Sequence, residues 1–257
     1  MNARAINPPP SPFVRRVWSK LLWWRFLLFQ RHRYDSLTLE QVQDVPFVVL
    51  PQVFNPKLMR TGAFMADVLS SQSFRAAHTV LDLGTGSGVG AIFAARFARH
   101  VVATDINPEA VRCARINILL NHLDHKIDVR QGDVFEPARG EIFDLILFNP
   151  PFYKGRPRDA LDFAWRGEDV IERFAHDLRT YLSSNGFALL LLSTKGDTEV
   201  FLQTIRARGL SHDVFAEREL INEKLTVYKV AVDHKGSKRS DSSAPNAGAV
   251  APARAVS

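Results

Sequence analysis

One apolar run of this chain ends in an asparagine, two prolines and a phenylalanine. Residues 144–148 read Asp-Leu-Ile-Leu-Phe, and Asn149-Pro150-Pro151-Phe152 follow directly. Because proline fixes φ and lacks a backbone N–H, a strand must stop here and the turn is stiff. The Asn149 amide and the Pro150 carbonyl are then held beside an aromatic ring. That arrangement suits a planar group carrying an NH2, and a proline-terminated strand with a buried Phe152 is the plainer alternative.

A glycine-rich turn lies upstream, after a short apolar strand at 80–83. Gly84, Gly86 and Gly88 precede a predicted helix over 89–98. Glycines at a strand-to-helix turn let the backbone approach a ligand and adopt positive φ, and the first helical N–H groups attract anions. The spacing departs from the full dinucleotide-binding motif, so it predicts a site for one nucleoside.

The next predicted strand, His100–Asp105, ends on a carboxylate roughly 20 residues after the glycine turn, where a ribose diol is usually held. Asp105 could accept hydrogen bonds from both ribose hydroxyls. Capping of the following helix is the alternative role for this side chain. Asn107, just before Pro108, fits the capping role better, which leaves Asp105 free for a ligand.

A third acidic residue follows another predicted strand, within 128–134. Asp133 could accept from an adenine amino group, while the Val134 N–H donates to the ring. A plain turn role for Asp133 after Gly132 remains open.

Taken in order, these motifs resemble those of class I S-adenosylmethionine-dependent methyltransferases. The motifs are Asp82-Leu83-Gly84-Thr85-Gly86-Ser87-Gly88, Asp105, Asp133 and Asn149-Pro150-Pro151-Phe152. The last resembles the Asn-Pro-Pro-(Tyr/Phe) motif of amino-group N-methyltransferases. These include the release-factor and ribosomal-protein glutamine N5-methyltransferases and the related small-domain rRNA and tRNA base methyltransferases. The resemblance covers about 53–232.

The resemblance implies S-adenosyl-L-methionine as the cofactor and no metal. The implied cofactor contacts are Gly84, Gly86 and the Asp82 region for the methionine part, Asp105 for the ribose, and Asp133 with Val134 for the adenine. Gly88, Asn107, Asn149 and Thr61 are further predicted cofactor-binding residues, without assignment to one part. The implied acceptor site consists of Asn149 and the Pro150 carbonyl, which would hold the NH2, with Pro151, Phe152 and Tyr153 around it.

An upstream segment, 48–56, leads to Thr61 and a predicted helix over 62–70. In the enzymes that the chain resembles, a comparable segment lies over the cofactor. By this resemblance Thr61 contacts the carboxylate of the cofactor or the acceptor, and an N-cap is the alternative. Phe54 is either a lid residue or part of the core.

The order of predicted elements indicates an α/β fold. Strands and helices alternate as far as residue 207, which implies a parallel sheet wrapped by helices, and two strands around 211–217 and 224–232 follow. We therefore predict a Rossmann-like seven-stranded class I methyltransferase sheet with a C-terminal antiparallel hairpin. Ligands bind at the carboxyl ends of such strands, where all the motifs fall. A helix over 169–183 and a strand over 186–193 are among the predicted elements.

Length and composition are consistent with one catalytic domain plus extensions. The chain has 257 residues, of which 46% are hydrophobic. We predict an N-terminal extension over 1–45, a methyltransferase domain over 46–233 and a disordered tail over 234–257. Cys113 is the only cysteine, which favours a reducing, cytoplasmic compartment. No run reaches the roughly 18 apolar residues that a transmembrane helix needs.

The N-terminal extension is basic and aromatic over 14–34, which contains three of the four tryptophans. Such a segment could be an interfacial membrane helix or a stacking surface for RNA. We favour a helical segment that covers the catalytic domain or binds a protein substrate. It is much shorter than the substrate-recognition domain usual in release-factor methyltransferases.

The sequence leaves two acceptors open, a glutamine side-chain amide in a translation-related protein and an exocyclic base amine in rRNA or tRNA. The net charge of +6 and the basic pI favour RNA or a ribosome-associated substrate. Much of that charge lies in residues 1–40 and 234–257, however, which leaves the core nearer neutral.

Overall fold

The computed structural model describes residues 36–58, 60–71, 74, 79–151, 153–154, 166–167 and 169–233. The predictions for the tryptophan-rich segment, the tail from residue 234 and Phe152 lie outside the described residues. Among the helices of the described part, none is long and apolar enough to cross a membrane.

The described strands form one large sheet and two small ones. They are β1 (Thr38–Val42), β2 (Val45–Val49), β3 (Thr79–Leu83), β4 (His100–Asp105), β5 (Ile127–Gln131), β6 (Phe143–Phe148), β7 (Tyr153–Lys154), β8 (Arg166–Gly167), β9 (Leu182–Ser193), β10 (Leu210–Glu219) and β11 (Lys224–Val232). The large sheet has seven strands in the order β10-β11-β9-β6-β3-β4-β5.

The large sheet is mostly parallel. β4 pairs with β3 and β5 in parallel, and β6 pairs in parallel with β3 and β9. β11 runs antiparallel to both β9 and β10 and so forms the closing hairpin. The predicted Rossmann-like seven-stranded sheet with a C-terminal antiparallel hairpin is confirmed.

Helices cover both faces of this sheet. They are α1 (Thr61–Ser71), α2 (Val89–Ala94), α3 (Pro108–Leu120), α4 (Val170–Tyr181) and α5 (Thr198–Ala207). Successive residues of a strand point to opposite faces, which explains why β3 contributes to two cores. Val80 packs in the core that contains Phe64 and Ile92, and Leu81 packs in the core that contains Phe174. A strand buried on both faces reads as a continuous apolar run, as β3 does.

Some element boundaries differ from the prediction. The helix predicted over 89–98 ends at Ala94 and continues as turns. β9 begins at Leu182, four residues before the predicted start, and the helix predicted to reach residue 183 ends at Tyr181. Leu182 pairs with Phe143, and the register then shifts. Gly186 lies at this irregularity, where an added Cβ would be 2.8 Å from the Phe143 carbonyl oxygen, so the glycine marks a bulge rather than a strand start.

The sequence analysis missed the hairpin of β1 and β2. A helical extension was expected up to residue 45, but Thr38–Val42 forms a strand paired antiparallel with β2. The burial of Glu40 and Val42 alternates with the exposure of Leu39, which is the pattern of a half-buried strand. β2 in turn docks on α3, because the Asn117 amide donates to and accepts from the Val48 backbone. The rest of the predicted domain division stays a prediction.

The register of β3 brings the predicted motifs to one edge of the sheet. Leu83 lies opposite Thr104 of β4 and opposite Phe148 of β6. The glycine turn, Asp105 and Asn149 therefore emerge side by side. The strand order reverses between β3 and β6, and ligands of open α/β sheets bind in the crevice at such a switch point.

The packing beneath this edge depends on Phe174 of α4. It is fully buried, and its ring centroid lies 4.7 Å from that of Phe148 and 5.9 Å from that of Phe135. Replacing it with alanine leaves a cavity, and we expect Phe174→Ala to lower the free energy of unfolding by about 3–5 kcal/mol in urea titrations. Val214→Ala, at a position 56% exposed, is the control and should change it by less than about 0.5 kcal/mol. Equal effects of the two substitutions would contradict the packing described.

Candidate active site at the carboxyl ends of the strands

A cavity of about 300 Å³ lies at the carboxyl ends of β3, β4, β5 and β6. Most of the predicted site residues line it. These are Asp82, Gly84, Gly86, Asp105, Asn107, Asp133, Val134, Asn149, Pro150 and Pro151. Thr61 and Gly88 are not among its lining residues, Phe152 lies outside the described residues, and Tyr153 is described only as the backbone of β7.

The Asp82 carboxylate holds the glycine turn in shape. Its Oδ2 accepts a hydrogen bond from the Thr85 hydroxyl at 2.6 Å and another from the Ala91 N–H at 2.8 Å. Burial raises its pKa to about 6. A Cβ added at Gly90 would lie 2.5 Å from the Asp82 Oδ1 atom, so Gly90 gives the carboxylate room to reach α2. Asp82 therefore has a structural role, and its predicted contact with the methionine part of the cofactor stays a prediction.

The glycines of the turn serve different purposes. Gly84 and Gly86 have positive φ values of 65° and 56°, which favour glycine. Both line the cavity, and a Cβ at Gly84 would project where no other heavy atom lies within 4 Å. At Gly88, in contrast, a Cβ would come 3.3 Å from the Ala114 Cα atom. Gly88 thus permits close packing of the turn on α3, whereas Gly84 and Gly86 leave space for a ligand.

Asp105 connects the glycine turn to the start of α3. Its Oδ2 accepts from the Gly86 N–H at 2.8 Å, and its Oδ1 accepts from the Asn107 N–H at 2.9 Å. Burial raises its pKa to about 6. Each oxygen of a carboxylate can accept a second hydrogen bond, so both remain able to accept from a ribose diol. The capping prediction is confirmed, because the Asn107 side chain accepts from the Glu109 N–H and Pro108 begins the helix.

Asp133 is paired with Arg173, a residue that the sequence analysis did not single out. The Arg173 guanidinium donates to both Asp133 oxygens, at 2.6 and 3.3 Å, and its Nε donates to Asp169 at 3.1 Å. All three side chains line the cavity. This pairing fixes the position of the Asp133 carboxylate at the predicted adenine end. The Asp133 carbonyl also accepts from the Glu136 N–H, so the residue does form a turn as well.

Asn149 lines the cavity and has a buried side-chain oxygen without a hydrogen-bond partner. Its Nδ2 donates to the Thr61 hydroxyl at 3.3 Å, and its Oδ1 is buried without a hydrogen-bond partner. Buried polar atoms are paired in the great majority of cases, and an unpaired one commonly marks a site. Thr61 is the first residue of α1 rather than its N-cap, so the capping alternative for this residue is wrong.

The segment over 50–58 forms part of the cavity wall. Gln52, Phe54 and Pro56 line it. The Asn107 Nδ2 donates to the Gln52 carbonyl at 3.1 Å, and a Cβ at Gly86 would lie 3.9 Å from the Phe54 Cβ. Phe54 lines the cavity and is half-buried, and its role as a lid residue stays a prediction.

Strained backbone accumulates around the cavity. Gln52 and Arg60 both have a φ of 62°, and Val134 has a φ of 45°. Positive φ is unfavourable for side-chain-bearing residues and most of all for a β-branched one. Gln52 and Val134 line the cavity, and Arg60 directly precedes Thr61. Such strain clusters at ligand sites, where the surrounding structure enforces it.

Comparison with known proteins agrees with this geometry. The model of the family described as "Methyltransferase small domain" matches residues 44–210. The chain belongs to this family. A putative protein N5-glutamine methyltransferase of Methanocaldococcus jannaschii is 31% identical over 157 residues, which cover 58% of this chain and 78% of the relative. As a member of the family, the protein is an S-adenosylmethionine-dependent N-methyltransferase, as predicted.

Other relatives of this methyltransferase act on different substrates. Ribosomal RNA small subunit methyltransferase C of Hamiltonella defensa is 36% identical over 171 residues, and the match spans about half of that protein, 49%, and 65% of this chain. The structure of the E. cuniculi Mtq2–Trm112 complex, described as responsible for the methylation of the translation termination factor eRF1, aligns with a TM-score of 0.52 at 21% identity. That alignment covers 71% of this chain and 99% of that one, and it shows a shared fold.

The cavity of the methyltransferase fits its cofactor, S-adenosylmethionine. Asp105 offers two acceptors for the ribose hydroxyls, the Gly84 and Gly86 backbone leaves room for the amino-acid part, and Asp133 with Val134 lies at the end of β5. The assignment of individual residues to parts of the cofactor stays a prediction. The sequence analysis missed Arg173 because its contact with Asp133 joins residues 40 positions apart in the chain. It missed the role of Gly90 because that role depends on a close approach to Asp82 in the folded chain.

The raised pKa of Asp105 predicts a pH dependence of cofactor binding. In its predicted role the ionised Asp105 carboxylate accepts from the ribose diol, and protonation below about pH 6 would remove an acceptor. Affinity for S-adenosylhomocysteine should therefore fall as the pH drops through 6, with Kd rising by up to about tenfold per pH unit below it. Calorimetry between pH 5 and 8 measures this.

Asp105→Asn is the control for this pH profile. It should bind more weakly at pH 8 and show a shallower pH dependence, with the remaining slope due to Asp82, whose pKa is also about 6. A wild-type affinity that stays constant from pH 8 to pH 5 would contradict the ribose role.

Proposed function

We propose that this methyltransferase transfers a methyl group to a planar NH2 nitrogen, the side-chain amide of a glutamine in a translation-related protein. The observation that carries the proposal is the buried Asn149 Oδ1 atom without a hydrogen-bond partner. It belongs to a residue that lines the cavity directly after β6. An acceptor of this kind is satisfied by an N–H donor from the substrate.

The free-energy cost of leaving the Asn149 Oδ1 atom unpaired supports a role for this atom in substrate binding. Leaving a buried polar atom unpaired costs about 1–3 kcal/mol. An NH2 group placed against it regains that free energy, whereas a group without an N–H does not. Pro150, which follows in the turn and also lines the cavity, supplies a carbonyl as the second acceptor. Two acceptors match the two N–H bonds of a primary amide.

These two acceptors can activate the amide nitrogen for methyl transfer. The lone pair of an amide nitrogen is delocalised, so the nitrogen is a weak nucleophile. Hydrogen bonds from both N–H bonds favour a pyramidal nitrogen and become stronger as positive charge develops on it, which stabilises the transition state specifically. When bound, S-adenosylmethionine supplies the electrophilic methyl group. A nitrogen–carbon bond forms, the sulfur–carbon bond breaks, and the methylated nitrogen loses a proton to water.

The protein acceptor is supported by the relatives. The Methanocaldococcus protein is named as a protein N5-glutamine methyltransferase, and the Mtq2–Trm112 complex is described as responsible for the methylation of a translation termination factor. A glutamine side chain has the planar NH2 that the turn at Asn149 suits. Partners of the protein in this proposal are ribosomal proteins or release factors, and its site of action is the cytoplasm.

An exocyclic base amine in rRNA or tRNA is the second candidate. It is favoured by the Hamiltonella relative, which is named as an rRNA methyltransferase, and by the positive net charge. Adenine N6 and guanine N2 also carry planar NH2 groups. Because residues 1–40 and 234–257 hold most of the excess positive charge, the described core provides little electrostatic attraction to RNA.

Substitution of Asn149 tests the acceptor site. Asn149→Ala removes the Oδ1 acceptor but leaves Asp105 and the glycine turn in place. We expect methyl transfer to fall by about 10²–10³-fold, as for the loss of one transition-state hydrogen bond. The affinity for S-adenosylhomocysteine, measured by calorimetry, should change by less than about threefold. Transfer at the wild-type rate would exclude Asn149 as the acceptor clamp.

The class of acceptor is tested by labelling. The protein is incubated with methyl-labelled S-adenosylmethionine and a fractionated lysate of cells that lack its gene. We expect the label in material that protease degrades and nuclease does not, and acid hydrolysis should release labelled methylamine, as an N-methyl amide requires. The Asn149→Ala variant is the matched control. Label that nuclease releases as methylated adenine or guanine would support RNA instead.

A further inference from the structure

We propose that Arg173 of α4 is a positioning residue for the cofactor, which holds the Asp133 carboxylate so that the site prefers a purine with a 6-amino group. This inference goes beyond the proposed function, because it concerns the cofactor and holds for either class of acceptor. It rests on the predicted adenine role of Asp133.

The ion pair between these two side chains carries the inference. The Arg173 Nη1 donates to one Asp133 oxygen at 2.6 Å, and the Nη2 donates to the other at 3.3 Å. The Arg173 Nε donates to Asp169 at 3.1 Å. A guanidinium has only donors and an ionised carboxylate has only acceptors, so the direction of these hydrogen bonds is unambiguous. All three residues line the cavity.

Apolar packing beside the ion pair fixes the two elements that carry it. Phe174, the residue after Arg173, is fully buried, and Phe135, two residues after Asp133, is 2% exposed. Their stacked ring centroids lie 5.9 Å apart. The start of α4 is therefore packed on the turn that follows β5, which keeps the Arg173 and Asp133 side chains within reach of each other.

The backbone around Asp133 is constrained as well. The Asp133 carbonyl accepts from the Glu136 N–H at 3.0 Å. Val134 has a positive φ of 45°, which is unfavourable for a β-branched residue and is enforced by the surrounding structure. With the backbone fixed, rotation of the Asp133 side chain is the freedom that remains. The hydrogen bonds from Arg173 restrict that rotation.

The ion pair leaves the carboxylate able to bind a ligand. An ionised carboxylate offers about four lone-pair sites, and Arg173 uses one on each oxygen. The side chains of Asp133 and Arg173 are 36% and 38% exposed, so the pair is not sealed in the core. Such a pair contributes little to the stability of the fold. A carboxylate held in one rotamer before the ligand binds does, however, reduce the entropy that binding costs.

A fixed carboxylate distinguishes purines by the group at position 6. It accepts a hydrogen bond from an amino group there, whereas a purine with hydrogen at this position offers no donor. The contribution of Arg173 to affinity should therefore be confined to ligands that carry the amino group. A general effect of Arg173 on folding would weaken the binding of both kinds of ligand equally.

Calorimetry with two ligands tests this role in the full-length protein. The ligands are S-adenosylhomocysteine and its analogue with hydrogen in place of the 6-amino group. The wild-type protein should bind S-adenosylhomocysteine at least about tenfold more tightly, because the analogue lacks a hydrogen bond to a charged group. Arg173→Met keeps the stem of the side chain and removes the guanidinium. We expect it to weaken binding of S-adenosylhomocysteine about 3–10-fold and binding of the analogue less than about twofold.

Three further variants serve as controls. Arg173→Lys retains an ammonium that can donate to Asp133 but lacks the planar fork, and it should keep part of the preference for the amino group. Arg179→Met removes an exposed guanidinium of the same helix, outside the cavity, and should leave both affinities unchanged. In an Asp133→Ala background, Arg173→Met should change the affinity for S-adenosylhomocysteine by less than about twofold, because Arg173 acts through the carboxylate.

Four outcomes would overturn the inference. Equal losses of affinity for the two ligands in Arg173→Met would show a structural role alone. Unchanged or tighter binding of S-adenosylhomocysteine would show that the guanidinium does not assist the carboxylate. A wild-type protein that binds both ligands equally would remove the adenine role of Asp133. An Arg173→Lys variant with no more preference than Arg173→Met would exclude donation to Asp133 as the cause. Failure to label any acceptor would instead refute the proposed function, and these binding results would stand.

Discussion

Parallel pairing of β3 with both β4 and β6 is the constraint on which the site depends. Because Leu83 lies opposite Thr104 and Phe148, the residues that follow the three strands emerge at one level of the sheet. Without this pairing, Gly84, Asp105 and Asn149 would not lie close together. A shift of one residue in either pairing would turn the side chains of that strand to the other face. The two cores that bury alternate residues of β3 prevent such a shift, so packing on both faces of the sheet fixes the geometry of the site.

Two carboxylates lie at this edge, the buried Asp82 and the half-buried Asp105. Asp82 uses its hydrogen bonds within the glycine turn and α2, and it keeps that turn open. Asp105 also holds the turn, through the Gly86 N–H, and it lines the cavity. Both have a pKa raised to about 6 by burial. The shape of the site therefore needs Asp82 ionised, and the predicted ribose role needs Asp105 ionised.

Much of the fold was predictable because it follows from local patterns. The apolar runs of β3, β4 and β6, the Asn107–Pro108 start of α3 and the closing hairpin are all visible in short stretches of sequence. The β1–β2 hairpin was missed because Glu40, a charged residue, occupies a buried strand position, where its carboxylate accepts from the Asn55 amide. The pairing of Asp133 with Arg173 spans 40 residues, and that of Thr61 with Asn149 spans 88. No single-sequence pattern relates residues at such separations.

The stiff turn after β6 also bears on how many times one nitrogen can react. A primary amide has two N–H bonds, one for the Asn149 Oδ1 and one for the Pro150 carbonyl in the arrangement that we propose. After one transfer and the loss of a proton, the product keeps a single N–H and can satisfy only one of these acceptors. A second round would leave the other acceptor unpaired in the interior and would place a methyl group against it. The arrangement therefore favours release of a monomethylated product over its further conversion.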